Sequence, residues 1–296
     1  MDIRAYTDAV DALGLRVHGV TALQRGETVG EYRWTPDAAR NVFSVSKSFT
    51  ALAAGMAVDD GLLALDDKVI DRFPDFAPKP AGARLRSLTI RHLLTMTRGH
   101  REFTRPSSVR EALSHDLHDE PGTVFTYDNA CTFLLSAAIT RATGMKTRDL
   151  LVERLFRRLD IPDPLWPESG DGFTLGATGL ELSTGSLARF GQLLLQRGVW
   201  KGREIVSSRW IDRATRTQIP TRNPLLPETG KPDYDLGYGY HFWICRHGAY
   251  RADGKNGQFV VVMPGEEAVV AVTADEVNMN PVLYAVWDYI LPRLSP

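Results

Sequence analysis

The stretch from Ser44 to Gly61 constrains this chain more than any other. Residues Val45 to Val58 are apolar on nearly every side of a helix, with Ser44 as a candidate N-cap and Gly61 as a stop, which predicts a helix from Val45 to about Asp60. A helix that is apolar all round must be buried, so the rest of the chain has to build a core around it. Its first turn nevertheless carries a lysine. Lys47 follows Ser44 by three residues and so shares its helical face, within reach of the serine oxygen. Burial and the positive end of the helix dipole both disfavour a charged lysine there, and a neutral lysine beside a hydroxyl can act as its base. A capping serine followed by a lysine that extends to water is the plainer reading of the same residues.

The order of the remaining elements sets the fold class. Ile3, Tyr6, Val10 and Leu13 share one helical face, which predicts a helix over 2–13. Leu15 to Leu23 and Thr28 to Trp34 read as a hairpin with a longer turn through Gln24-Arg25-Gly26-Glu27. From Leu62 to about Gln196 the signals are helical, including caps at Thr89 and Ser108 and a helix from Ala130 to Thr143 closed by Gly144. Four strand-like runs follow, Tyr238 to Ile244, His247 to Ala252, Gln258 to Met263 and Ala268 to Ala274, and an amphipathic helix ends the chain. This order predicts an α+β fold: an antiparallel sheet built from residues 1–61 and 199–296 and flanked by both terminal helices, with an all-helical domain over 62–198 inserted. The active cleft is expected between the two. The Pro-rich loop from Gln218 to Leu236 is expected to wall it, with Tyr238, Tyr240 and Trp243 either lining the cleft or filling the core.

Charge narrows the function. With 35 basic and 36 acidic residues and no basic block, the 296-residue chain has no electrostatic footprint for nucleic acid. No apolar stretch approaches a membrane span and no signal-peptide core opens the sequence, so a cytoplasmic location is expected. Cys131 and Cys245 read as buried free thiols. His115 and His118, with Asp116, Asp119 and Glu120, read as a solvated helix end rather than a metal site; no metal or other cofactor is expected.

Two further motifs extend the Ser44-Lys47 pair. Tyr127-Asp128-Asn129 falls at the break before the Ala130 helix, where side chains can project into a cleft, although the tripeptide also suits a plain turn. Asp253-Gly254-Lys255-Asn256-Gly257-Gln258 leads into a strand, where a glycine allows close backbone approach to a substrate; a Gly-rich hairpin turn fits the same residues. In this order the three motifs, Ser44 to Lys47, Tyr127 to Asn129 and Lys255-Asn256-Gly257, resemble the serine β-lactamase and penicillin-binding protein superfamily, specifically its class C-like branch. The resemblance runs over about residues 15–294 and includes Gly61-Leu62-Leu63-Ala64-Leu65-Asp66-Asp67 and Leu88 to Thr95.

That resemblance implies a β-lactamase/transpeptidase-like fold and a serine hydrolase that forms an acyl-enzyme on Ser44. It implies that Lys47 and Tyr127 share general-base work, that Asn129 orients Lys47 and binds a substrate amide, and that the backbone N–H groups of Ser44 and Gln258 form the oxyanion hole. Lys255 would keep Tyr127 ionised or bind an anionic substrate group. Asn256 departs from the family's threonine and Arg98 from the serine of a Thr-Ser-Gly segment, which favours a small-molecule ester or amide over a lactam or D-alanyl peptide. A binding or sensing protein of the same fold is the alternative.

Overall fold

The computed structural model describes residues 1–221 and 233–295. The middle of the expected cleft loop, residues 222–232, therefore lies outside the described residues. Six strands form the main sheet: β1 (Val17–Gln24), β2 (Glu27–Arg33), β3 (Trp243–Ile244), β4 (Tyr250–Gly254), β5 (Gln258–Met263) and β6 (Ala268–Ala274). Their spatial order is β2-β1-β6-β5-β4-β3, and every pairing is antiparallel. The two ends of the sequence thus meet in the middle of the sheet, where β1 pairs with β6 from Val17 opposite Ala274 to Gln24 opposite Ala268. The first hairpin turns more tightly than the sequence suggests. Only Arg25 and Gly26 form it, both at positive φ (51° and 85°), the twist-matched two-residue geometry.

Five helices matter for the site: α1 (Arg4–Ala12), α2 (Val45–Asp59), α3 (Asn129–Thr143), α4 (Thr184–Leu195) and α5 (Asn280–Ala285), the last continuing as a wider turn over Val286–Ile290. One face of the sheet packs under α1 and the C-terminal helix. There Tyr6, Val10, Val282, Val286 and Ile290 meet Val261, Val270 and Val272 from strands whose side chains alternate between faces. The other face joins a single apolar core that runs through α2, α3 and α4. Phe49 of α2 stacks on Phe190 of α4 with ring centroids 3.8 Å apart, and the side chains of Val45 to Ala57 are all buried.

Helix α4 lies within residues 62–198 and packs on β1, β5 and β6, because Gly191 brings its backbone against Val260 and Val269. Among the described residues it shares one apolar core with α2, α3 and the sheet. One of the expected strands, Tyr238 to Ile244, is much shorter. From Tyr238 to Phe242 the chain makes only bridges and a turn, with His241 at φ 61°, before β3. Among the described residues no helix is long and apolar enough to cross a membrane.

Candidate active site

Ser44 occupies the N-cap position of α2, but its side chain caps nothing. The turn before it is held from outside. Asn41 Oδ1 accepts from the Phe43 N–H at 2.8 Å, the Val42 N–H donates to Leu180 O at 2.9 Å, and Phe43 sits at φ 47°. A bulky residue rarely adopts that conformation, so the surrounding contacts impose it. Among the described residues no acceptor takes the Ser44 N–H, and its Oγ faces Lys47 instead.

Lys47 is 1% exposed and fully engaged. Its Nζ donates to Ser44 Oγ at 2.9 Å, to Asn129 Oδ1 at 2.6 Å and to Ala177 O at 2.8 Å. Burial brings its pKa down to about 7, against the pull of Asp128, so near neutrality a large share of the lysine is a free amine. Helix α3 supplies the opposite wall. Asp128 Oδ1 caps it by accepting from the Ala130 N–H, and this fixes Asn129 in the first turn and Tyr127 just before it. The Tyr127 phenol lies near Ser44, whose side chain works to lower its pKa, and its ring lies 5.0 Å from Lys47 Nζ. Burial pushes the phenol's pKa up, so Tyr127 is protonated at neutral pH and not the tyrosinate expected from sequence.

These groups open into a cavity of about 600 Å3. Phe103 and Arg105 line it from the loop before residue 109, Trp243 and Asp253 from the sheet edge, and Met279 and Asn280 from the start of α5. Tyr127 stacks with both Phe103 and Trp243, at centroid distances of 6.5 and 5.7 Å and interplanar angles of 4° and 24°. Of the aromatics placed near the cleft by sequence, Trp243 lines it, whereas Tyr238 and Tyr240 are 1% and 0% exposed and belong to the core.

The comparisons with known proteins agree with this layout: the Beta-lactamase family profile matches residues 4–293. The chain belongs to the Beta-lactamase family. Among curated relatives it is similar to the 6-aminohexanoate-dimer hydrolase of Paenarthrobacter ureafaciens, with 25% identity over 281 residues covering 84% of this chain and 70% of that protein. It is also similar to Esterase EstB of Burkholderia gladioli, with 30% identity over 152 residues covering 44% and 37% respectively. Among solved structures, a putative β-lactamase from Bacteroides dorei superposes with a TM-score of 0.80 at 17% identity, over 98% of this chain and 99% of that one. The fold is therefore the β-lactamase/transpeptidase-like one, and the relatives bear the names of hydrolases.

Within this Beta-lactamase family fold, the third motif sits differently from its sequence reading. Strand β4 ends at Gly254, and Lys255-Asn256-Gly257 forms the turn into β5, with Asn256 and Gly257 at φ 65° and 88°. Lys255 lines the cavity; Asn256, Gly257 and Gln258 do not. Asn256 Nδ2 donates to Asp275 Oδ1 at 2.9 Å, and the Gln258 side-chain amide faces the turn, donating to Lys255 O at 3.3 Å. The residue that joins Lys255 at the wall is Asp253, and Gly254 between them packs behind it. A Cβ on Gly254 would lie 2.3 Å from Val42 O, so the sheet edge and the turn before Ser44 touch through bare backbone. Asp253 Oδ2 accepts from Tyr234 Oη at 3.0 Å and from Nε of the fully buried Arg251 at 2.9 Å. Nothing in the spacing of Asp253 or Arg105 marked either as cavity residues.

Proposed function

We propose that the protein is a serine acyl hydrolase that cleaves a small ester or amide through a covalent acyl-enzyme on Ser44. The observation that carries this reading is the 2.9 Å contact between Ser44 Oγ and a buried Lys47 whose pKa burial has brought to about 7. In its neutral form Lys47 Nζ accepts the Ser44 proton as Oγ bonds to the substrate carbonyl carbon. The carbonyl electron pair moves to oxygen, and the unpartnered Ser44 N–H is one donor available to that oxyanion. Collapse of the tetrahedral adduct restores the carbonyl and breaks the bond to the leaving group. Tyr127, a protonated phenol next to Ser44, is suited to give the leaving oxygen or nitrogen its proton and to be reprotonated from the Lys47 ammonium. Water then attacks the acyl-enzyme, Lys47 again taking the proton; collapse of this second adduct breaks the bond from the acyl carbon to Oγ, and the Lys47 ammonium returns the proton to Ser44 as the acid leaves. Asn129 holds the amine in place through Oδ1.

The walls favour a substrate with an apolar acyl or leaving group, since Phe103, Trp243 and Met279 face the cavity. The test is to mix the protein and a Ser44→Ala variant with a chromogenic ester and a chromogenic cephalosporin while recording intact mass and product release. One acyl adduct in the parent, none in the variant, and faster ester than lactam turnover is the expected result. Rapid lactam turnover would point to a β-lactamase proper. A folded parent with neither adduct nor turnover would reject the hydrolase reading in favour of a binding protein.

A further inference from the structure

Arg98 and Asp128 form an ion pair in the interior, with side chains 2% and 1% exposed and Arg98 Nε 2.6 Å from Asp128 Oδ2. Neither has a role in the acyl-transfer chemistry above, and Arg98 is one of the two departures that the sequence displays. The pair is saturated. Asp128 Oδ1 accepts from Thr104 N at 2.8 Å, Thr104 Oγ1 at 2.6 Å and Ala130 N at 3.2 Å. Arg98 Nη1 donates to Ala112 O at 3.2 Å, and Nη2 donates to Thr104 Oγ1 at 3.3 Å and to His115 Nδ1 at 3.1 Å. Thr104 lies between Phe103 and Arg105, and Asp128 lies between Tyr127 and Asn129; all four neighbours line the cavity. One carboxylate therefore joins two walls of the site.

We infer that Asp128, held by Arg98, is a positioning residue: it ties the 103–105 loop to the start of α3 and so places Tyr127, Asn129 and, through Asn129 Oδ1, the Lys47 amine. This rests on the acyl-hydrolase reading only in giving that amine a use. The charged and titratable groups around Lys47 are Asp128 and Cys131 at the start of α3, Asp253 on β4, Arg105 on the neighbouring loop, the Tyr127 phenol and His241 before β3. Asp128 favours the ammonium most, Asp253 adds to it and Arg105 opposes it, while burial pushes the Cys131 thiol up to about 12 and so keeps it neutral. His241 is held neutral by burial and by Lys47. Burial alone would drive Lys47 further toward the free amine, and Asp128 offsets part of that drive. Facing Asp128 itself, besides Arg98, is His115, whose pKa is lowered by burial and by Arg98; its Nδ1 accepts from Arg98 and so is unprotonated in this arrangement.

The test reads Lys47 directly, independent of turnover. The protein is labelled with 13Cε-lysine, the Lys47 signal is assigned by its loss in Lys47→Arg, and its titration is followed in the parent, Asp128→Asn, Arg98→Lys and the Arg98→Met/Asp128→Asn double variant. Removing the carboxylate charge should lower the Lys47 midpoint by about half a pH unit or more in Asp128→Asn and by less, in the same direction, in the double variant, where the Arg98 cation goes as well, while Arg98→Lys leaves it in place. The double variant buries no lone charge and serves where Asp128→Asn does not fold. An unmoved midpoint, with only a lower melting temperature, would reduce the pair to scaffolding and overturn the inference. Parent ester turnover is measured alongside: its absence with a shifted midpoint sinks the hydrolase reading and leaves this one standing.

Discussion

Lys47 Nζ rests 5.0 Å from the centroid of the Tyr127 ring while reaching Ser44 Oγ at 2.9 Å. The ring face welcomes the ammonium, and the serine oxygen lies within reach of the amine, so the site can hold the lysine in both states.

Activity should therefore depend on pH through Lys47. With its pKa near 7, kcat/KM for an ester should fall about tenfold per unit below that pH and level off above it. Tyr127 sets no alkaline limb near neutrality, because burial raises its pKa. A rate profile that is flat from pH 5 to 8 would remove Lys47 as the base.

Stability should follow the same lysine with its own sign. Its folded pKa of about 7 lies below the ordinary lysine value of 10.5, so between the two the unfolded chain binds more protons. Stability from this group is then greatest above the upper value and is lost as pH falls toward the lower one. The melting temperature of the parent should rise relative to that of Lys47→Met as pH goes from 7 to 9, and parallel curves would contradict the assignment.

Trp243→Ala should act on binding rather than chemistry. The indole stacks on Tyr127 and lines the cavity, but it touches no proton in transit. For an ester with an aromatic acyl group KM should rise by roughly tenfold with kcat changed far less, as lost apolar burial of this size implies. A collapse of kcat alone would give Trp243 a part in holding Tyr127.

Gly254→Ala should damage fold and activity together. Its methyl would meet the Val42 carbonyl at 2.3 Å, and the displaced backbone lies two residues from Ser44. Overpacking of this kind costs about 1–3 kcal/mol, with a larger proportional fall in kcat. Gly265→Ala, where a Cβ meets nothing within 4 Å, is the matched control and should leave both unchanged.

The helix and the pairing of its two candidate side chains were legible in the sequence because they depend on local spacing. Ser44 and Lys47 are three residues apart, Tyr127 and Asn129 lie beside a helix start, and the folded chain brings all four together. The wall at β4 was not legible. The Asn256-Gly257 pair is a turn signal, and the structure turns there, yet the following apolar run from Gln258 drew the motif onto the next strand. Arg98 and Asp128, 30 residues apart, carry no local pattern; only the tertiary fold pairs them. The place of α4 was not legible for a related reason, since it looks like its helical neighbours and only packing puts it against the sheet.

The floor and the walls of the cavity come from different kinds of structure. Ser44 and Lys47 sit on a helix whose first thirteen residues are all buried, where a substitution registers first as unfolding. Phe103, Arg105, Met279 and Asn280 come from loops and a helix start remote from that floor. A laboratory search for new substrates should thus randomise the rim and leave the α2 floor alone: the chain can change its diet without relearning how to fold.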